Sequence, residues 1–149
     1  PAMGRVKIVF LGEAYHELTV SMTKLADDYN AISEDIYIDL QLLPPGSMDQ
    51  KLVVLIAAGQ APDVIAIDYE RFAYFTQQGV LLSLGENETG QPVYGIQHPG
   101  QLSQLVVWGA TDYPTQALEV LRYFADQIPP ADLDRLRELN SRPLPLFGS

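Results

Sequence analysis

Residues 51–79 read KLVVLIAAGQAPDVIAIDYERFAYFTQQG, and the fold follows from how this stretch divides. It splits into the end of a helix, a tight Ala58-Gly59-Gln60-Ala61-Pro62 turn, a buried strand, a polar tip and a second helix. The run Val64-Ile65-Ala66-Ile67 has no polar position. That composition suits a strand covered on both faces, as in a parallel sheet. Asp68-Tyr69-Glu70-Arg71 then sets two carboxylates, a phenol and a guanidinium at the strand's C-terminal end. In open α/β sheets ligands bind at that edge.

Upstream, residues 6–11 (VKIVFL) form a short β-branched run ended by Gly12, and predict a first buried strand. In residues 17–30, Leu18, Met22, Leu25, Ala26 and Tyr29 recur at helical spacing, and Asn30 stands as a C-terminal stop. Residues 36–43 (IYIDLQLL) alternate as a second strand, ended by Pro44-Pro45-Gly46. Ser47 and Gln50 have the spacing of a capping box, opening a helix through Ala58. The order is β-α-β-α-β-α, which implies a parallel sheet with right-handed crossovers.

Downstream of residues 80–84 (VLLSL), which pack the chain back down, the pattern breaks. Residues 85–91 (GENETGQ) are polar and turn-rich, residues 93–96 make a very short strand, and His98-Pro99-Gly100 is a turn. Residues 105–109 (LVVWG) predict another buried strand. Residues 114–127 predict an amphipathic helix with Ala117, Leu118, Leu121 and Phe124 inward. Pro129-Pro130 stops it. A shorter charged helix over 131–139 and an extended tail over 142–146 follow.

The 149 residues suit one domain with a sizeable core, 47% of them hydrophobic. The net charge of −10 argues against nucleic acid or an anionic membrane surface as partner. With no cysteine, disulfides and thiolate metal sites are excluded. No stretch approaches the roughly 20 apolar residues of a membrane span. Pro1-Ala2-Met3-Gly4 reads as a cloning scar on a trimmed chain.

The stretch KLVVLIAAGQAPDVIAIDYERFAYFTQQGVLLSL resembles the N-terminal lobe of extracellular solute-binding proteins of ABC importers, the maltose-binding type. That family ends a helix in a small-Ala-Gly-x-x-Pro-Asp turn, runs a strand to the site and follows it with a Phe-x6-Gly-x-Leu segment. The matching positions are Ala57, Ala58, Gly59, Pro62, Asp63, Phe72, Gly79 and Leu81. Residues 6–30 resemble the family's first β-α unit. Residues 91–96 resemble its crossing strand into a second lobe, and residues 105–121 its returning strand and helix. Only residues 97–104 separate these two places, where the family carries a whole second lobe. The resemblance therefore implies an α/β, three-layer αβα periplasmic-binding-protein lobe. Its sheet is mostly parallel, with a returning strand free to run antiparallel. Residues 5–84 are then the N-terminal βαβαβα part, 85–104 a crossing and shortcut loop, and 105–149 the returning strand and C-terminal helices. An engineered isolated lobe is the first reading; a naturally minimal protein is the alternative.

The resemblance also implies a function: capture of a sugar or oligosaccharide by hinge closure of two lobes and delivery to an ABC permease, outside the cytoplasm. It places ligand contacts on the strand-end loops, at Glu13, Tyr15 and His16, at Gly46 and Ser47, and at Asp68, Tyr69, Glu70 and Arg71. Carboxylates accept paired hydroxyl hydrogen bonds, Arg71 donates, and a tyrosine ring stacks on a sugar face. The plainer reading of Glu70 and Arg71 is a first-turn acid and a solvated pair. His16 and His98 read as exposed, and Trp108 as core before stacking platform. The pairs Asp27-Asp28 and Asp132-Asp134 read as surface acids rather than a metal site. Asn87-Glu88-Thr89 fits the N-glycosylation triplet, a pattern frequent by chance. No cofactor motif and no enzyme signature is present. A lobe on its own holds half a site, so weak or no binding is expected, with self-association through the exposed interlobe surface. A scaffold or interaction lobe without a ligand is the second reading, and a flavodoxin-like enzyme the third.

Overall fold

In the computed structural model, which describes residues 4–14, 16–97 and 103–126, one sheet of five strands carries helices on both faces. The elements run β1 (Val6–Glu13), α1 (His16–Ile32), β2 (Ile36–Leu43), α2 (Met48–Ala57), β3 (Val64–Ile67) and α3 (Tyr69–Gln78). Then come β4 (Gly85–Glu86), β5 (Pro92–Val93), β6 (Ile96–Gln97), β7 (Gln104–Val107) and α4 (Pro114–Asp126). The strand order is β2-β1-β3-β7-β6. β1 pairs in parallel with β2 from Val6↔Ile36 to Glu13↔Leu43, and with β3 at Phe10↔Val64 and Leu11↔Ile65. β7 runs antiparallel to β3, and β6 antiparallel to β7. Four strands thus point one way and the returning strand points against them.

Alternation along the strands divides the core in two. Ile8 and Phe10 of β1 and Ile36 and Ile38 of β2 face Met22 and Tyr29 of α1 and Val120, Leu121 and Phe124 of α4. Leu11 of β1, Ile65 and Ile67 of β3 and Val106 of β7 face Met48 and Leu52 of α2, with Phe72 and Phe75 of α3 against them. The three-layer αβα architecture follows directly. Trp108 is half-buried in the second core, edge-on to Phe75 at 5.7 Å between ring centroids. Residues 80–82 cross the end of β7, with Leu82 N–H donating to Val107 O at 2.9 Å and Leu81 bridging Trp108.

Three local expectations are corrected. Asn30 does not stop α1, which continues to Ile32; its amide instead reaches Ile38 of β2. Ser47 precedes α2 with φ −98° and ψ 0° and makes no side-chain cap bond. Its hydroxyl turns back to donate to Pro44 O at 2.7 Å, because the Pro44-Pro45-Gly46 turn brings that carbonyl closer than the helix's own N–H groups. The segment 85–93, read as loop and strand, closes into a small antiparallel hairpin of β4 and β5. Its turn is held by Asn87 Oδ1, which accepts from Thr89 N–H, Thr89 Oγ1 and Gln91 N–H. Tyr15, the His98 turn, the 131–139 helix with its acids and the 142–146 tail lie outside the described residues.

Candidate functional site

The C-terminal ends of β1, β2 and β3 share one edge of the sheet, because the three strands are parallel. Each ends in a loop carrying polar groups. Glu13 closes β1, and its Oε2 accepts from the backbone N–H of Gly46 at 3.3 Å. Gly46 sits in the loop after β2 at φ +88°, a left-handed conformation that any side chain would strain. The first and second loops are thereby tied together.

The third loop is tied to the second through Arg71. Asp68 caps α3 with φ −73° and ψ 170°, accepting from Arg71 N–H at 2.7 Å. The Arg71 guanidinium donates from Nη1 to Asp68 Oδ2 at 3.0 Å and from Nε to Asp49 Oδ1 at 2.6 Å. Its Nη2 also contacts Asp49 Oδ1. The side chain of Arg71 is 13% exposed, against 78% for Asp49 and 61% for Asp68. A sheltered cation thus lies between two solvated carboxylates, one from the first turn of α2 and one from the cap of α3. Asp49 and Glu70 stand in helix first turns, where the backbone dipole favours acids.

Of the residues expected at this edge, the structure joins Glu13 with Gly46, and Asp68 with Arg71. Tyr69 is exposed, at 71%, and Glu70 is exposed beside it. Ser47 lies in the same loop as Gly46, with its hydroxyl on Pro44. His16 is the first residue of α1. Sequence reasoning missed Asp49, the second partner of Arg71. Its only signal was an acid two residues after Ser47, which any helix first turn carries. The edge offers many acceptors and an exposed aromatic ring, with its guanidinium already engaged. It suits a ligand rich in hydroxyl donors and repels anions.

An αβα lobe with polar loops gathered at its strand ends is the architecture of a periplasmic-type binding protein. Residues 15–126 match the family model of bacterial extracellular solute-binding proteins, and the chain belongs to that family. The family is one of solute-binding proteins and not of enzymes. An extracellular solute-binding protein family 1 member from Alicyclobacillus acidocaldarius aligns at TM-score 0.53 and 22% identity, over 63% of this chain and 28% of that one. An ABC substrate-binding protein from Listeria monocytogenes, in complex with cycloalternan, aligns at 0.52 and 19%, over 63% and 29%. The GacH receptor of Streptomyces glaucescens, described unliganded and with acarbose, aligns at 0.52 and 14%, over 63% and 29%. At these identities the likeness is one of fold. The aligned part is less than a third of each of these three chains. No curated protein matches the sequence. Among the described residues, no helix is long and apolar enough to cross a membrane.

Proposed function

We propose that this chain is the first lobe of a solute-binding protein that captures a sugar or oligosaccharide outside the cytoplasm and hands it to an ABC permease. The observation that carries the reading is the family match over residues 15–126, which takes in the loops after β2 and β3 and begins just past the end of β1. Two structural neighbours, in complex with cycloalternan and with acarbose, support a carbohydrate as the solute class. In this reading Glu13, Asp68 and Glu70 accept hydroxyl protons, Tyr69 offers its ring to a sugar face, and Arg71 orients Asp68. Gly46 and Ser47 shape the second loop, and Tyr15 and His16 complete the first.

In this reading residues 85–104 stand in the sequence where the family's path to a second lobe would be, which the direct pairing of β6 with β7 supports. The 149 residues alone present half a cleft, so their affinity is weak, because most of the ligand's surface stays in water. The bare edge then favours self-association at high concentration. A lobe that serves only as scaffold is the competing reading, and it shares the fold.

One titration separates them. Isotope-labelled protein is mixed with mono- and oligosaccharides while backbone amide shifts are followed, which detects binding as weak as ~4 kcal/mol. Shifts clustered at Glu13, Gly46 and Asp68 to Arg71 support the half-site. A folded spectrum that no sugar perturbs rejects sugar capture by this lobe.

A further inference from the structure

Among the described residues β2 is the end strand of the sheet, and only half of its outer edge is capped. Asp35 O and Leu43 O accept from β1 and the residue following it, so the odd-numbered positions ladder to β1. The backbone groups of residues 36, 38, 40 and 42 therefore point outward. Ser33 Oγ accepts from Ile36 N–H at 3.2 Å. Asn30 mimics a neighbouring strand: its Oδ1 accepts from Ile38 N–H at 2.7 Å and its Nδ2 donates to Ile38 O at 2.9 Å. Among the described residues no hydrogen bond meets the outward groups of Leu40 and Leu42. An open edge is a template for another strand, and proteins ordinarily blunt it. Here the blunting stops at Ile38.

Beside the open half runs a groove between α1 and β2, lined by Thr19, Thr23, Asp27, Asp39, Leu40 and Leu42 among others, with no Lys or Arg. We infer that the 40–42 edge of β2 docks an extended, basic segment of a partner protein by strand addition. Main-chain bonds to Leu40 and Leu42 supply affinity in such a mode, and alternate side chains supply specificity. Side chains of an added strand point alternately to the α1 side, where they meet Thr23 and Asp27, and to the opposite face, where they meet Asp39 and Gln41. Asp27 on the first face and Asp39 on the second select lysine or arginine there. A second copy of this chain is disfavoured, because it would set the same acids against each other in a molecule of net charge −10.

The test uses three labelled synthetic peptides of equal length, read by fluorescence anisotropy at physiological salt. One alternates Lys and Val, one alternates Glu and Val, and one is the Lys–Val peptide methylated at every backbone nitrogen. The Lys–Val peptide is expected to bind about tenfold tighter than either other, a difference of about 1.4 kcal/mol. Leu40→Pro removes one outward N–H without touching the ladder to β1, a placement edge strands tolerate. It is expected to weaken binding about tenfold, with circular dichroism reporting whether the fold survives. Should the variant unfold, the methylated peptide decides. Equal binding of methylated and plain Lys–Val peptides would mean charge attraction alone and overturns the inference. So does absence of binding, which would leave the edge covered by the chain itself. A concentration-dependent dimer abolished by Leu40→Pro also overturns it, assigning the edge to a second copy.

Discussion

Asp63 and Val9 exchange two hydrogen bonds: Asp63 N–H donates to Val9 O at 2.9 Å, and Val9 N–H donates to Asp63 Oδ2 at 2.9 Å. The side chain thereby takes the ladder position that precedes the first residue of β3. Its Oδ1 accepts from Thr111 Oγ1 at 2.7 Å, and its backbone carbonyl accepts from Trp108 N–H at 2.9 Å. One residue fastens β1, β3 and the end of β7, and so fixes the strands whose far ends carry the polar loops.

Asp63→Ala leaves a part-buried N–H and a hydroxyl without their acceptor. The expected loss is about 2–4 kcal/mol, since each unpaired buried group costs about 1–3 kcal/mol. Asp63→Asn keeps one acceptor oxygen and is expected to cost about half as much. Urea unfolding of both variants checks the order. Two equal, small losses would show that the carboxylate is not what fastens the sheet.

The same residue shows what was legible in the sequence. Pro62 and Asp63 stood out only as part of a resemblance, with no role attached, because the partners of Asp63 lie 54 and 48 positions away. Strands β1, β2, β3 and β7 and helix α4 were readable, since short apolar runs, a two-residue alternation and a 3.6-residue stripe are local signals. A polar residue after an apolar stripe usually ends a helix, so along the chain Asn30 has the signature of a stop; its true partner, Ile38, is brought near only by the fold. The two-residue strands β4 and β5 carry no periodicity at all. At the site, the loops were legible from strand ends, but the Arg71–Asp49 tie joins two helices and left no mark along the chain.

Arg71 draws the second and third loops together through solvated carboxylates, so its energetic weight is modest. Arg71→Ala is expected to cost about 1 kcal/mol at low salt and less at about 1 M salt, where exposed ion pairs are screened. The stronger consequence is positional: amide resonances of Asp49 and Asp68 should both move. Arg71→Lys is expected to restore only one of the two contacts, because an ammonium lacks the planar fork. Unchanged resonances at Asp49 in Arg71→Ala would contradict the tie.

Two glycines separate a steric demand from a conformational one. A Cβ on Gly109 would lie 2.8 Å from Val80 O, a backbone atom that Gly109 N–H already bonds at 2.8 Å. Gly59 sits at φ +71° with nothing within 4 Å of such a Cβ. Gly59→Ala is expected to cost about 1 kcal/mol of backbone strain. Gly109→Ala should cost more, about 1–3 kcal/mol, as the crossing at Leu81 and Trp108 is pushed apart. Thermal midpoints rank the pair, and the reverse order would refute the close approach.

Tyr123 provides a test at alkaline pH. Its hydroxyl donates to Leu25 O at 2.6 Å, and its ring lies 5.0 Å from Tyr29 between α4 and α1. Burial, and then the nearby Asp28 carboxylate, push its pKa from 10.0 up to about 12. The folded protein therefore holds this proton more tightly than the unfolded chain does. The resulting stability is complete below pH 10 and is lost as pH rises toward about 12. Tyr123→Phe is expected to lose about 1 kcal/mol at neutral pH, with the bond to Leu25 gone. It should then approach the parent as pH rises from 10 to 12, because the variant has no proton to lose at that position. Urea midpoints of the two proteins, measured side by side across that window, give the difference. A gap that stays constant with pH would mean that Tyr123 titrates alike in the folded and unfolded chains.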